Sequence, residues 1–146
     1  MKLHKLKSYT FVFIQFSIVG ILWYNGGIIA HTIPLLCLQL LALLLGGWAI
    51  ILMQQHLSIF PDVAKDATLL SHGPYKFIRH PMYTSLLILT LAVIIENFSL
   101  LRVMLWFALL CDLLFKLHYE EQLLSEKFQK YSGYKMHSWK LIPFIF

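Results

Sequence analysis

The sequence predicts an all-α, polytopic membrane protein: about four transmembrane helices with a cytoplasmic helical extension. Three observations predict it. Hydrophobic residues make up 59% of the 146 and charged residues only 13%, where a soluble domain carries about a quarter charged. The apolar residues gather into four runs, each near the length of a bilayer crossing. The cations stand at the ends of those runs and not along one face, so a formal charge of +5 reflects topology and does not call for nucleic acid. A single integral membrane domain over residues 1–146 is the expectation.

The first span, residues 8–24, follows Lys2, Lys5 and Lys7 and contains no charge. A signal peptide has the same outline. No small-x-small cleavage site follows, and another span comes soon after, so an uncleaved helix is expected. Tyr9 at one end and Trp23-Tyr24 at the other suit the two interfaces. Asn25-Gly26-Gly27 then turns the chain.

The second span, residues 34–53, has no formal charge, and twenty residues at ~1.5 Å each cover the ~30 Å hydrocarbon core. Gly46-Gly47 inside it is expected to admit a close-packed neighbour. Residues 54–80 form the one long polar connection, with Asp62, Lys65, Asp66, Lys76 and Arg79. The third span, residues 81–95, is short, at ~22 Å of helix. Glu96-Asn97 turns the chain into a fourth span over 99–115. Its helix is expected to continue into water through Lys116, Glu120 and Glu121 towards Phe128. The tail, with Trp139, Leu141, Ile142 and Pro143, is expected to lie along the membrane surface.

Four crossings put both termini and the long connection on one side. Eleven of the twelve cations fall there and only Arg102 falls opposite, so that side is cytoplasmic by the positive-inside rule. A bacterial-type cell membrane is the expected location. Cys37 and Cys111 sit inside apolar runs at different depths, and a disulfide needs Cα atoms within about 7 Å. Two free thiols are expected.

The chemistry-bearing stretch is Ser71-His72-Gly73-Pro74-Tyr75-Lys76-Phe77-Ile78-Arg79-His80-Pro81-Met82-Tyr83. Gly73-Pro74 punctuates the backbone, and Pro81 suits the first position of a helix, where its missing N–H costs nothing. Arg79 and His80 then stand at a helix mouth, which favours anionic groups. Asp112, Lys116 and Glu120 recur at every fourth residue, and Lys116 is the expected partner of Asp112. The ladder could be purely stabilising, but Asp112 is the more suggestive member, because an acid inside an apolar run is costly.

His-Gly-Pro-Tyr at 72–75, Arg-His-Pro-Met-Tyr at 79–83 and Glu120-Glu121 together resemble the isoprenylcysteine carboxyl methyltransferase and phospholipid methyltransferase family. The resemblance covers roughly residues 69–143. It implies a membrane-embedded methyltransferase that uses S-adenosylmethionine, with a cofactor region at about 69–83 and 116–131. It also implies cofactor contacts from His72, Gly73, Pro74, Tyr75, His80, Pro81, Tyr83, Glu120 and Glu121, and catalytic roles for Arg79 and Glu121. Arg79, with a planar fork suited to bidentate contact, is expected to meet a carboxylate of methionine or of the acceptor.

Two positions depart from the family pattern. Ser85 stands where a Gly is usual, and Phe128-Gln129-Lys130-Tyr131 lacks the Gly that normally follows the Phe. Tyr131 and Tyr134 are read as packing or interface residues.

No G-x-G-x-x-G or P-loop follows a strand pattern, which excludes a soluble dinucleotide-type fold. His72, His80, His118 and Glu121 could form a cytoplasmic cluster, but no H-E-x-x-H box supports a metal, and none is expected. The expected function is methyl transfer to a membrane-embedded or amphiphilic acceptor, either an isoprenylcysteine-like carboxylate or a lipid amine. The expected partners are therefore a lipid-like or prenylated small molecule and the bilayer itself. Two other readings fit the same residues: an NADPH-dependent membrane reductase related to sterol reductases, and a non-enzymatic four-helix membrane protein.

Overall fold

A computed structural model describes residues 2–54 and 69–146. Asp62, Lys65 and Asp66 of the polar connection lie outside the described residues. The described chain is helical: α1 (Lys2–Gly26), α2 (Ile33–Gln54), a 3-10 turn (Gly73–Lys76), α3 (Pro81–Glu96), α4 (Leu100–Lys127) and the short α5 (Tyr131–Met136). The four long helices cover the four expected runs. α4 runs unbroken through Glu120 and Glu121 to Lys127, and Phe128 ends it in an extended conformation. Among the described residues, α2 is the one helix long and apolar enough to cross a membrane; α3 is apolar but shorter.

α1 packs chiefly on α4 and α2 on α3, while α3 also touches both α4 and α1. The main apolar core lies between α1, α3 and α4, around Val19, Leu22, Leu87, Ile94, Leu109, Leu113 and Leu117. The outer surface is also apolar: Phe13, Phe16, Leu40, Leu44, Ile51, Met104, Phe107 and Phe115 are exposed. Gln39, Thr84, Ser85, Thr90, Asp112 and Lys116 are buried between the helices. Polar groups inside and large hydrophobes outside is the arrangement that hydrocarbon, not water, stabilises.

The α2–α3 contact explains one glycine and dismisses its neighbour. A Cβ at Gly46 would lie 2.5 Å from Ser85 Oγ, whereas one at Gly47 would meet nothing within 4 Å. The Ser85 hydroxyl donates to the Ala42 carbonyl at 2.6 Å. The serine that departs from the family pattern thus occupies the space that Gly46 leaves. Both cysteines are free and exposed.

At the end of the bundle away from the chemistry-bearing stretch, side chains tie down backbone. Glu96 accepts from the His31 N–H at 2.7 Å and the Thr32 N–H at 2.6 Å, just ahead of α2, where free N–H groups favour a carboxylate. Those bonds hold its pKa below the ordinary value. Gln39 accepts from the Ala30 N–H at 2.8 Å and donates to Ile28 and Leu89 carbonyls. Arg102 donates to the carbonyls of Asn25 and Asn97.

Candidate functional site

The site is assembled where three segments meet: the approach to α3, the extension of α4 and the chain after α5. Gly73 opens the approach with φ +61°, the left-handed region that favours glycine. A Cβ there would also lie 2.5 Å from Leu52 on α2. Pro74 and Tyr75 are buried on α2, and the Tyr75 hydroxyl donates to the Ala49 carbonyl at 3.4 Å. Burial first, then the nearby Tyr134 and Glu120, push the Tyr75 phenol up to about 12. The Tyr75 carbonyl accepts the Tyr134 hydroxyl, so Tyr134 clamps the turn as well as packing.

From Phe77 onward the approach pairs with the C-terminal segment. Ile78 and Trp139 form a parallel bridge. The Trp139 N–H donates to the Phe77 carbonyl at 2.9 Å. The Arg79 and His80 N–H groups donate to the Trp139 and Lys140 carbonyls at 2.7 and 3.1 Å. Thr84 continues the seam by donating to the Leu141 carbonyl at 2.7 Å. Pro81 takes the first position of α3, as expected, behind His80 as its cap. These bonds fix the backbone on which Arg79 and His80 are mounted.

Arg79 does meet a carboxylate, but it is the chain's own. Its Nε donates to Glu121 Oε1 at 2.6 Å, and both side chains are 8% exposed. One terminal guanidinium nitrogen donates to the Lys135 carbonyl at 3.2 Å, and to the Ser138 carbonyl and hydroxyl. The expected contact between Arg79 and a ligand carboxylate is therefore taken up internally. The pair forms because α4 continues past the apolar run and brings Glu121 under the α3 mouth. Burial raises the Glu121 pKa, but the adjacent His80 and the hydrogen bond and charge of Arg79 outweigh it and hold it at about 2.

His80 lies between the two glutamates, with Nδ1 3.6 Å from Glu120 and Nε2 3.8 Å from Glu121. Its ring stacks on Tyr83, centroids 5.3 Å apart and planes within 7°. The Tyr83 hydroxyl donates to both Glu120 oxygens, at 2.7 and 2.8 Å. Glu120 is thus held by a neutral donor, which leaves its charge available to a cationic ligand. Among the described residues, two buried atoms here have no hydrogen-bond partner: His80 Nε2 and the Tyr131 hydroxyl. Burial, followed by the charge of Glu121, pushes the Tyr131 phenol well up.

The structure therefore brings together Arg79, His80, Tyr83, Glu120 and Glu121. Pro74 and Tyr75 serve the α2 packing beside that cluster, and His72 is exposed. His118 faces away from the cluster, exposed and bonded to Gln122 at 3.1 Å. The ladder along α4 holds only as an attraction at a distance: the charge of Lys116 acts on Asp112, but no ion pair joins them. Lys116 donates to Gln15 on α1 at 3.1 Å and lies 5.1 Å from the centroid of the Tyr83 ring. Asp112 Oδ2 is buried without a partner. Position on one helix face did not make the pair, because the lysine stem reaches across to other helices. Lys135 and Ser138, which hold Arg79, carried no signal in the sequence. Tyr131 stands within the family motif and is fully buried, with its ring packed near Tyr134.

A family model now bears on these residues: that of phospholipid methyltransferase matches residues 29–131. The match takes in well over half of the chain. The chain belongs to the phospholipid methyltransferase family. Membership implies a membrane-associated methyltransferase that acts on lipid-like substrates. Among curated proteins, none matches the chain. The phospholipid methyltransferase match includes α2, α3, α4 and the whole Arg79–Glu121 cluster, and ends on Tyr131. The segment that clamps Arg79, from Lys135 to Leu141, lies beyond it.

Proposed function

We propose that this chain is a four-span integral membrane enzyme that transfers a methyl group from S-adenosylmethionine to an amphiphilic acceptor. The observation that carries the reading is the convergence of Arg79, His80, Tyr83, Glu120 and Glu121 at one end of the bundle in a phospholipid methyltransferase chain. The exposed apolar surface of α1, α2 and α4, with the apolar α3 packed among them, supports four crossings, and the cation distribution supports cytoplasmic termini. The site then faces the compartment where the cofactor is made.

The residues fit that cofactor. Among the described residues, His80 Nε2 and the Tyr131 hydroxyl are buried polar atoms without a partner, beside the Glu120 carboxylate. A polar cationic ligand satisfies all three. Glu120, His80, Tyr83 and Tyr131 would hold it, with His72 to Tyr75 forming the rim. When bound, its sulfonium supplies an already activated methyl group, so the protein's work is alignment. Orientation of that kind contributes ~7–11 kcal/mol.

Arg79 and Glu121 act through each other. Their pair, tied to the Ser138 carbonyl, fixes the α3 mouth against α4 and holds His80 in place. A carboxylate acceptor is ionised at neutral pH and needs no base. An ammonium must first lose a proton, and the candidate bases for it are Glu120, Glu121 and His80.

The test is calorimetric binding of S-adenosylmethionine and S-adenosylhomocysteine to detergent-purified protein. Saturable binding is expected in the wild type, lost in Arg79→Ala and Glu121→Ala. It is expected to weaken in Glu120→Gln, which leaves the Arg79 pair intact. Absence of binding at millimolar ligand by folded protein overturns the proposal.

A further inference from the structure

The segment that clamps Arg79 also carries a surface that the cluster does not use. Residues 127–146 hold Lys127, Lys130, Lys135 and Lys140 and no Asp or Glu. Lysines interleaved with large apolar residues are attracted to anionic lipid head groups. The segment has two faces. Inward, Ser138 and Leu141 are buried, with the Ser138 carbonyl accepting from Arg79 and the Leu141 carbonyl from Thr84. Outward, Met136 is 83% exposed, Phe144 82% and Ile145 78%. Across the seam, Lys76 and Phe77 are exposed as well.

The last turn of the segment is strained. The Phe146 N–H donates to the Ile142 carbonyl at 3.0 Å, and the Leu141 N–H donates back to the Phe146 carbonyl at 2.8 Å. Closing this turn puts Phe144 at φ +66°, a conformation that bulky side chains rarely adopt. The exposed Phe144 ring then rests beside Trp139, centroids 4.6 Å apart, and Lys140 lies over the Phe146 ring at 4.6 Å. Water does not compensate such strain by solvating aromatic rings. A bilayer interface does, because aromatic rings settle at the head-group level and lysines reach the phosphates.

We propose that residues 136–146 are an interfacial strap: its aromatic and lysine face docks on the anionic surface of the bilayer, and that docking holds closed the seam on which Arg79 is mounted. The partner is the lipid surface, and the link to the site is the backbone. The Trp139 and Lys140 carbonyls that take the Arg79 and His80 N–H groups belong to the same short segment as Phe144. A surface that binds only the docked segment shifts the seam towards its closed form. Anionic lipid therefore regulates how firmly Arg79 is held. The strap rests on the four-span reading, which sets it at the membrane surface, and not on the identity of the cofactor.

The experiment is hydrogen–deuterium exchange of the full chain in nanodiscs of phosphatidylcholine, alone or with phosphatidylglycerol added. S-adenosylmethionine is left out, so failure of the methyltransferase reading does not touch the outcome. Amides of 77–80 and 137–146 are expected to exchange about tenfold more slowly in the anionic discs, as one or two surface lysines allow. Those of 91–102, at the other end of the bundle, are expected not to change. Lys76→Gln combined with Lys140→Gln is expected to abolish the difference between the discs, whereas a packing role for Lys140 would shift both discs alike. Phe144→Gly relieves the backbone strain but removes the anchor, and is expected to speed exchange along the seam. Equal exchange of the wild type in the two discs overturns the proposal. So does a slowing that survives the double variant, or a seam that Phe144→Gly protects.

Discussion

The two ends of the helix bundle use the same residue types to opposite effect. At one end Glu96, Arg102 and Gln39 direct their polar atoms onto backbone groups of the turns between helices. At the other, Arg79 and Glu121 bond to each other, while His80 Nε2 and the Tyr131 hydroxyl are left buried without partners. A glutamate beside an arginine is therefore not the mark of a site. The mark is polar capacity that the fold itself leaves unfilled.

The largest effect that separates the ends is expected at the Arg79–Glu121 pair. Removing either side chain leaves a buried charge, and losses of about 3–5 kcal/mol accompany such breaks. Unfolding midpoints of Arg79→Ala and Glu121→Ala in detergent check this. Arg79→Lys is expected to rescue little, because an ammonium cannot reach Glu121 and the Ser138 carbonyl together.

The same pair carries a pH signature. Glu121 is held at about 2 against an ordinary 4.5, so its ionised form is favoured in the folded state. The stability it contributes is fully present above about 4.5 and lost as pH falls towards 2. Unfolding followed across that window is expected to steepen in the wild type and flatten in Glu121→Gln.

Gly46 and Gly47 sharpen the contrast on α2, away from both ends. Gly46→Ala forces a Cβ onto Ser85 and is expected to cost about 1–3 kcal/mol. Gly47→Ala meets open space and is expected to stabilise by up to about 1 kcal/mol through helix propensity. Paired thermal melts distinguish them. Pairing Gly46→Ala with Ser85→Gly is expected to recover most of the loss.

The smallest effect is expected at Glu96. Its exposed carboxylate serves the two N–H groups ahead of α2, so Glu96→Gln is expected to lower the unfolding midpoint slightly. S-adenosylmethionine affinity is expected to stay unchanged. A binding loss in Glu96→Gln would end the division between a structural end and a ligand end.

What the sequence determined by itself is the set of elements and the approximate address of the site. Four apolar runs bounded by Asn-Gly-Gly, Pro81 and Glu96-Asn97 are local signals, and helices follow them. Arg-His-Pro at the start of α3 and the glutamate pair on α4 are equally local, because each is a short motif on one helix. Tertiary structure alone decided who pairs with whom. Asp112 and Lys116 share a helix face, yet Lys116 bonds to Gln15 across 101 positions of chain. Arg79 finds Ser138 only because the C-terminal segment runs beside residues 77–80, and Glu121 only because α4 passes under the α3 mouth. Side-chain partners depend on which helices touch and how far a flexible stem reaches across, and helical periodicity encodes neither.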